Sequence, residues 1–305
     1  YANSEGTFIH EERPDLSLYL VAIAKDSMSI QNGVEGVSGK SGFNIALKRE
    51  ELAKTAAKRA CELLTAKPVA GGTYEVILDQ VIAGTFVHEA FGHLSESDHL
   101  FENDKLREIM ALGKTIGPKF LNILDDGSIK GLRGTHKYDD EGVPTRKNYL
   151  VKDGVLVGRL HSRETASKMK ESVTGNARAL NYQFEPIVRM TNTYIDRGNT
   201  SLDEILLSTK NGIYAKSFLG GNTAMELFTF SSAYGYIIRD GKIEEMARDI
   251  VLSGNLFKTL NNIEYIANDL ECEEIGGCGK NGQSGLPTPH ASPHIKIKDV
   301  MVGGR

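Results

Sequence analysis

Two histidines that bracket a glutamate are the side chains of this chain with the clearest chemistry. His88 and His93 could supply neutral nitrogen ligands to a zinc ion, and Glu89 between them could serve as a general base. Many zinc peptidases use the pattern H-E-x-x-H, which places both histidines on one face of a helix. Here the pattern is H-E-x-x-x-H, so it indicates metal-dependent hydrolysis only if the backbone adapts.

The additional residue sets a condition on the backbone between Glu89 and His93. Residues five apart in a regular α-helix point about 140° away from each other, so one ion could not easily be reached by both rings. A π-bulge would absorb the additional residue, or the helix could end near Gly92, whose backbone freedom would redirect His93. Both routes predict a departure from regular helix. The neighbouring residues are equally compatible with a core helix whose histidines are structural: Phe86, Val87, Ala90 and Phe91.

Composition indicates a globular protein and argues against nucleic-acid binding. With 305 residues, of which 40% are hydrophobic, the chain can form a large core and two domains. A net charge of -4 disfavours nucleic acid as the main partner, because phosphate binding needs a basic surface. Neither a bilayer-spanning apolar run nor a signal peptide is recognisable, so we expect no membrane partner. The start at Tyr1 reads like the middle of a domain and predicts that an N-terminal portion is missing.

The cysteines favour a reducing, cytoplasmic compartment, because they are three in number and lack disulfide spacing. Cys61 lies in an alanine-rich helical pattern and is expected to be a core residue. Cys272 has acidic neighbours, which disfavour its thiolate form. Cys278 lies in the glycine-rich segment 276–282, which we expect to be a loop that brings the thiol close to a metal. Lys280 would favour the thiolate form of Cys278.

Helix and strand patterns predict an α+β fold with antiparallel sheet. Expected elements are strands at 16–24, 27–31, 74–78, 122–124 and 229–231, helices at 50–64, 80–91, 205–208 and 255–262, and a turn at Asn32-Gly33. Asp153-Gly154 and Asp240-Gly241 predict the turns of two hairpins. We expect residues 1–67 to be the remainder of an N-terminal α+β domain, and residues 68–305 to form an antiparallel-sheet-rich catalytic domain that carries the zinc-motif helix.

Several motifs follow one another along nearly the whole chain. They are His88-Glu89-x-x-x-His93, 142–146 (GVPTR), 175–178 (GNAR), 189–194 (RMTNTY), 235–238 (GYII) and 277–283 (GCGKNGQ). In these motifs and their order the chain resembles the TldD/PmbA (TldE) metalloprotease family, once described as modulators of DNA gyrase. Family members carry a further N-terminal portion. Because the chain keeps the histidine motif, which the TldE type lacks, it resembles the active, TldD-type subunit.

The resemblance implies a zinc-dependent peptidase that acts on unfolded or leader-bearing peptides. His88, His93 and Cys278 would bind Zn²⁺ and leave a fourth tetrahedral position for water, whose proton Glu89 would accept. The resemblance also implies a dimer, with a TldE/PmbA-like subunit or with a second copy of this chain, and an active site shielded inside it.

Other polar residues are weaker candidates. Asn176 and Arg178 lie in a turn-like segment that could bind a substrate carboxylate or could be an ordinary turn. His99 could contact substrate, although its polar neighbours are typical of a surface. His290 and His294 could also bind a metal, but their proline-rich segment favours an exposed loop.

Two further functions remain open. One is a non-catalytic adaptor or regulatory protein with a structural metal, although a structural zinc normally has four protein ligands and only three good candidates are present. The other is an amidase that uses Cys278 as nucleophile with a histidine base. The extended run 229–231 could also bind a peptide by strand addition.

Overall fold

The structure is a computed structural model that describes residues 1–273 and 275–303. Within these residues the helices are α1 (Glu50–Thr65), α2 (Gln80–Phe86), α3 (Ser97–Phe101), α4 (Asp104–Ile109), α5 (Arg163–Met169), α6 (Leu202–Leu207) and α7 (Leu256–Asn261). A π-helical turn spans Val87–Gly92, and 3-10 turns span Phe43–Ala46 and His93–Ser95. The strands are β1 (Leu16–Lys25), β2 (Ile30–Gly39), β3 (Lys67–Pro68), β4 (Gly72–Leu78), β5 (Ile123–Asp126), β6 (Lys147–Lys152), β7 (Val155–Leu156), β8 (Ala177–Arg178), β9 (Ile187–Val188), β10 (Thr193–Ile195), β11 (Asn211–Ala224), β12 (Leu227–Arg239), β13 (Lys242–Arg248), β14 (Val251–Asn255), β15 (Ile263–Ile266), β16 (Glu271–Glu273), β17 (Cys278–Lys280), β18 (Gln283–Leu286), β19 (His290–Ser292) and β20 (Ile295–Gly303).

The first strands form an antiparallel hairpin on which α1 packs. The predicted turn at Asn32-Gly33 is wrong, because both residues lie inside β2. A side chain at Gly33 would overlap the carbonyl oxygen of Ala56, so this glycine allows helix and sheet to approach closely. The chain reverses instead near Asp26, whose carboxylate accepts hydrogen bonds from two backbone N–H groups of the following residues.

Cys61 is exposed, so the prediction of a core cysteine is wrong. The buried face of α1 consists of Ala56, Ala60 and Leu63, which follow the spacing of one helix face. Cys61 follows Ala60 directly and therefore lies about 100° further round the helix, towards solvent.

A closed ring of strands forms the main core. Pairing runs in the order β11–β4–β20–β14–β12, and β12 pairs back onto β11. The interior is filled by apolar side chains that include Phe86, Phe228, Phe230, Leu252 and Ile297. Each such fully buried side chain stabilises the fold by roughly 1.5–3 kcal/mol. Because Phe86 belongs to α2, the same core that closes the ring also fixes the motif helix.

The predicted α+β class with antiparallel sheet is confirmed, and some pairings are parallel as well. β4 pairs with β11, β3 with β13 and β10 with β19 in parallel, through long crossover segments. Both predicted hairpins are confirmed, with positive φ at Asp153, Gly154, Asp240 and Gly241 as their two-residue turns require.

Strand addition at 229–231 is excluded by the pairing of β12. This segment pairs with β11 on one side and with β14 on the other. Both backbone edges are therefore used inside the ring, and a peptide has no free edge to join there.

Helix α2 lies between the ring and a second sheet, in the order β16–β19–β10–β5–β6–β7. Asp79 caps the N-terminus of this helix, and its carboxylate accepts from the N–H of Ile82 at 3.1 Å and from that of Ser217 at 2.9 Å. A side chain on Gly84 would lie 2.9 Å from the backbone nitrogen of Ala291 in β19. Gly84 thus lets the helix approach the strand that begins with His290. Among the described residues, no helix combines the length and the apolarity needed to cross a bilayer.

A buried histidine away from the motif makes the stability of the fold sensitive to acid. His136 is 4% exposed, and its Nδ1–H donates to the carbonyl of Gly134 at 2.9 Å. Burial, with Arg178 and Arg13 nearby, lowers the pKa of His136 to about 2. The unfolded chain takes up a proton below the ordinary pKa of 6.5 and the folded chain does not, so stability falls as pH falls.

We expect His136 alone to lower the free energy of unfolding by about 2 kcal/mol between pH 6.5 and 4.5, because the slope rises to about 1.4 kcal/mol per pH unit only once the unfolded histidine is fully protonated. Urea titrations of wild type and His136→Gln across this range measure the effect. The variant should lose less stability on acidification, whereas His10→Gln, which changes an exposed histidine, should follow wild type. If the free energy of unfolding fell equally with pH in His136→Gln and in wild type, the lowered pKa of His136 would be contradicted.

Candidate metal centre

The π-helical turn Val87–Gly92 brings the two motif histidines to one side of the backbone. Hydrogen bonds in such a turn run from residue i to i+5, so residues five apart share a face. The ring centroids of His88 and His93 are 5.2 Å apart, with an interplanar angle of 85°. The predicted departure from regular helix is confirmed, and it takes the form of the π-bulge.

Gly92 has a role that its backbone freedom does not explain. Its φ of -59° and ψ of -48° are those of an ordinary helix. A Cβ on this residue would overlap the sulfur of Met190, which packs directly against the turn. The glycine is therefore required for close packing, and the alternative in which Gly92 ends the helix and redirects His93 is not adopted.

Cys278 lies on a hairpin, so the predicted loop is wrong. β17 and β18 pair antiparallel, and Asn281 and Gly282 form the turn with φ values of 49° and 78°. Positive φ at both positions is the requirement of a type I′ turn, for which Asn-Gly is the preferred sequence. The Asn-Gly pair was the sequence signal for this hairpin.

The hairpin places Cys278 beside the motif turn. The Cys278 Sγ lies 3.2 Å from His93 Nε2, and Cys278 is 4% exposed. One possible ligand atom from each of His88, His93 and Cys278 can be chosen so that all three lie within 4.8 Å of one another. Behind the hairpin, the guanidinium of the fully buried Arg189 donates to the carbonyl of Cys278 at 2.8 Å. The structure thus brings together the three residues that the sequence suggested as ligands.

The side chain of His88 tests whether a metal fits this site. His88 is 0% exposed, and neither of its ring nitrogens has a hydrogen-bond partner among the described residues. Burial, followed by the nearby rings of His290 and His93, lowers the pKa of His88 well below its usual range, so the ring is neutral. A buried polar atom without a partner costs about 1–3 kcal/mol, and coordination would offset that cost. Two imidazoles and a thiolate are also the donor types that zinc prefers, so the residues fit the ion.

Glu89 faces the same space as the candidate ligands. Its Oε2 lies 3.9 Å from His93 Nε2, and 35% of its side chain remains exposed. Burial raises the pKa of Glu89, the neighbouring Glu96 adds to this effect, and His93 opposes it. The carboxylate is therefore near the candidate metal position and accessible to a substrate.

A buried carboxylate that the sequence analysis missed contacts the outer nitrogen of His93. Glu96 is 0% exposed, and its Oε2 accepts from His93 Nδ1 at 2.9 Å. Burial lowers the pKa of the His93 ring, but hydrogen bonds to Cys278 and Glu96 outweigh it and raise this pKa to about 10. The pKa of Glu96 is lowered, because Lys280 and His93 outweigh the effect of burial. Its position three residues after His93 was the available signal.

Lys280 does not contact the thiol that it was expected to activate. Its Nζ lies 2.7 and 2.8 Å from the carboxylate oxygens of Asp98, 3.0 Å from Glu96, and donates to the carbonyl of Val188 at 2.8 Å. The ammonium charge is thus neutralised by two carboxylates.

The expectation of an exposed loop at His290 and His294 is wrong. His290 begins β19, which pairs with β10 and β16, and its ring centroid lies 4.2 Å from that of His88. His294 is 4% exposed, and its two nitrogens bind Asp269 and Tyr214, each at 2.7 Å. The prolines flank the short strand and do not interrupt it, which is where a sheet tolerates them.

His290 is held in one orientation. Thr85 Oγ1 donates its hydrogen to the carbonyl of Val81 at 2.9 Å, so it accepts from His290 Nδ1 at 3.2 Å. This arrangement leaves Nε2 of His290 as the nitrogen with a lone pair. His290 is therefore a neutral polar group beside His88 that sequence reasoning ranked too low.

The candidate substrate-binding residues differ in their surroundings. Asn176 is fully buried, and its amide donates to Asp125 at 2.8 Å and to the carbonyl of Arg189 at 3.0 Å. Arg178 is 6% exposed and donates to the carbonyls of Met190 and Pro287. Through these contacts Asn176 is bound to β5 and Arg178 to the residue that follows β18. His99 is exposed on α3, next to Asp98. A role of these three residues in substrate binding stays a prediction.

Comparison with known families identifies the chain. The model of the PmbA/TldA metallopeptidase C-terminal domain matches residues 71–304, and that of the central domain matches residues 1–64. The chain belongs to the TldD/PmbA metallopeptidase family. The family resemblance seen in the sequence motifs is thereby confirmed.

Individual relatives agree with this assignment. A metalloprotease of Synechocystis sp. is 49% identical over 303 residues, covering 99% of this chain and 65% of the relative. A zinc metalloprotease TldD homolog of Saccharolobus solfataricus is 35% identical, covering 100% of this chain and 68% of the relative. The chain thus spans about two thirds of the length of these TldD/PmbA relatives.

Solved structures of the family share the fold. The crystal structure of TldE from Thermococcus kodakarensis matches with a TM-score of 0.77 at 17% identity, covering 95% of this chain and 63% of that one. A Thermotoga maritima protein described as a modulator of a DNA gyrase matches with a TM-score of 0.77 at 24% identity, covering 94% and 62%.

Proposed function

We propose that this chain carries the catalytic site of a zinc peptidase that cleaves unfolded or leader-type peptides. The observation that supports this most directly is the state of His88, a fully buried imidazole whose two nitrogens have no hydrogen-bond partner in the part of the chain that the structure describes. It lies with His93 and Cys278 in a group whose ligand atoms fall within 4.8 Å. A metal ion would bind all three, and membership of a metallopeptidase family agrees with that role.

The proposed metal and the residues around it would have different roles in peptide hydrolysis. Zinc, when bound, would polarise the substrate carbonyl and lower the pKa of water to around 7. Glu89 would accept the proton of the attacking water and pass it to the leaving amine nitrogen. Its partly exposed carboxylate can reach a substrate. The full burial of His88 would keep bulk water away from this proposed ligand.

The proposal extends to the partner of this chain and to its location in the cell. We infer a dimer, with a TldE/PmbA-like subunit or with a second copy, and a cytoplasmic location. The exposed thiol of Cys61 supports a reducing compartment. We also propose that residues 1–67 and 68–305 act as separate domains, with the site entirely in the second.

A thiol-dependent amidase is the second candidate, because one geometry favours it. Cys278 Sγ, His93 and Glu96 form a chain of contacts of 3.2 and 2.9 Å, which is the order of nucleophile, base and orienting acid. This arrangement, however, leaves both nitrogens of His88 without a role. A metal would bind His88 through one of these nitrogens, together with His93 and Cys278, so the peptidase is preferred.

Removing the metal is expected to abolish cleavage of an unstructured reporter peptide, and stoichiometric zinc should restore it. The measurement compares purified protein before chelation, after exhaustive chelation and dialysis, and after zinc is returned. Metal content is determined on each sample. Full activity in the metal-free sample would contradict the peptidase mechanism and favour the thiol mechanism, in which iodoacetamide would then stop the reaction.

A further inference from the structure

A buried charged cluster connects the two segments that carry the candidate ligands. Glu96 follows the motif turn, and Lys280 lies two residues beyond Cys278 on the hairpin. Their side chains are 0% and 4% exposed, and Lys280 Nζ lies 3.0 Å from Glu96 Oε2. The same oxygen accepts from His93 Nδ1 at 2.9 Å. Glu96 Oε2 therefore contacts the proposed ligand His93 and also Lys280, which lies on the same strand as the proposed ligand Cys278.

The hydrogen bond to Glu96 determines which nitrogen of His93 is available. To bind a metal, His93 must give up one ring hydrogen and become a neutral imidazole with one N–H and one lone pair. Because a carboxylate can only accept, the remaining hydrogen lies on Nδ1 beside Glu96, and the lone pair lies on Nε2. That nitrogen is the one 3.2 Å from Cys278 Sγ. In metal sites such an outer carboxylate fixes the orientation of the ring and raises its basicity.

Stability alone gives a weak reason for this arrangement. Burying two charges is costly, and a buried ion pair often stabilises a fold no more than apolar side chains would. The pair is also held on each side by other groups. The N–H of Met190 donates to Glu96 Oε1 at 3.3 Å, and Asp98 contacts Lys280 at 2.7 Å. Among the described residues, the Glu96 carboxylate thus contacts His93 in the motif segment, Met190, which packs on the motif turn, and Lys280 on the Cys278 hairpin.

We propose that Glu96 is a positioning residue for the metal centre. It orients His93 through Nδ1, and Lys280 connects it to the hairpin, so that His93 Nε2 and Cys278 Sγ meet at a fixed separation before the metal arrives. This role rests on the proposed metal site.

Zinc affinity measured with a competing chelator tests the role, with Glu96→Gln as the variant. Glutamine keeps the size and one accepting oxygen but lacks the charge. Lys280 retains Asp98 as a partner, so the hairpin keeps its anchor. We expect zinc affinity to fall about 10- to 100-fold, as for other outer carboxylates of metal-bound histidines. The cobalt-loaded variant should also show a changed thiolate-to-cobalt absorption band.

Asp269→Asn is the matched control. Asp269 accepts from Nδ1 of the buried His294 at 2.7 Å, which repeats the histidine–carboxylate pair without contact to a proposed ligand. This variant should lower the melting temperature of the metal-free protein and leave zinc affinity within twofold of wild type. A loss of affinity in both variants would indicate a general effect of destabilisation and overturn the positioning role.

Nitrogen NMR of the histidines in the zinc-loaded wild type provides a second test that needs no variant to fold. His93 should carry its hydrogen on Nδ1 and bind through Nε2, and the opposite assignment would overturn the proposal. Failure of wild type to bind zinc would reject the proposed function itself. Normal zinc binding by wild type with equal affinity in Glu96→Gln would reject the positioning role alone.

Discussion

Glu89→Gln is expected to reduce peptide cleavage by about 10²–10⁴-fold, the usual contribution of a general base, and to leave zinc binding intact. Glutamine has nearly the same shape, but its amide cannot accept the proton of the attacking water. Zinc affinity should be retained because the three proposed ligands are other residues, and the Glu89 carboxylate lies 3.9 Å from His93 Nε2. The measurement is kcat/KM on an unstructured peptide, together with zinc content per chain.

The control for this experiment is Glu102→Gln, which changes an exposed glutamate at the end of α3. Its activity should equal that of wild type. Retention of most of the cleavage in Glu89→Gln would remove Glu89 as the base. Loss of both zinc and cleavage would instead indicate that the carboxylate helps to bind the metal.

Cys278→Ala is expected to weaken zinc binding by more than about 100-fold. Loss of a residue that only contacts a ligand weakens metal binding by about 10- to 100-fold, and loss of a ligand itself should weaken it more. Alanine removes the sulfur that lies 3.2 Å from His93 Nε2 and keeps the small, buried position on the hairpin. The backbone anchor also remains, since Arg189 donates to the carbonyl of residue 278. Chelator competition and metal analysis after dialysis measure the loss.

Cys61→Ala provides the matched control, because it removes an exposed thiol from α1. It should bind zinc like wild type. Zinc should also raise the melting temperature of wild type and of Cys61→Ala but not that of Cys278→Ala, because a ligand that binds only the folded state stabilises it. Equal zinc affinity in Cys278→Ala and wild type would exclude the thiol as third ligand.

Local features of the site could be predicted from the sequence because few residues determine them. The spacing of His88 and His93 required a break in the helix, and a π-helical turn is present there. Asp-Gly pairs predicted the hairpin turns, since only residues that tolerate positive φ fit those positions. The ordered motifs identified the family and, with it, the set of His88, His93 and Cys278. Their roles as metal ligands stay predictions that the experiments above test.

Contacts between distant segments were decided by the tertiary structure alone. Lys280 contacts Asp98 across 182 positions of the chain, whereas sequence proximity had suggested Cys278 as its partner. His290 lies against His88 because Gly84 lets α2 approach β19, and nothing around His290 in the sequence indicates this. Asn32-Gly33 serves helix packing where a turn was expected.

The same physical reason applies to each of these differences. Spacing and turn chemistry act through bonds between near neighbours and can be inferred from the sequence. Which side chains meet across the molecule depends on how the strand ring closes and on which backbones can approach closely. The sequence by itself thus determined the family, the unusual turn and the candidate ligands. The tertiary structure decided that Glu96 and Lys280 join the motif turn to the Cys278 hairpin.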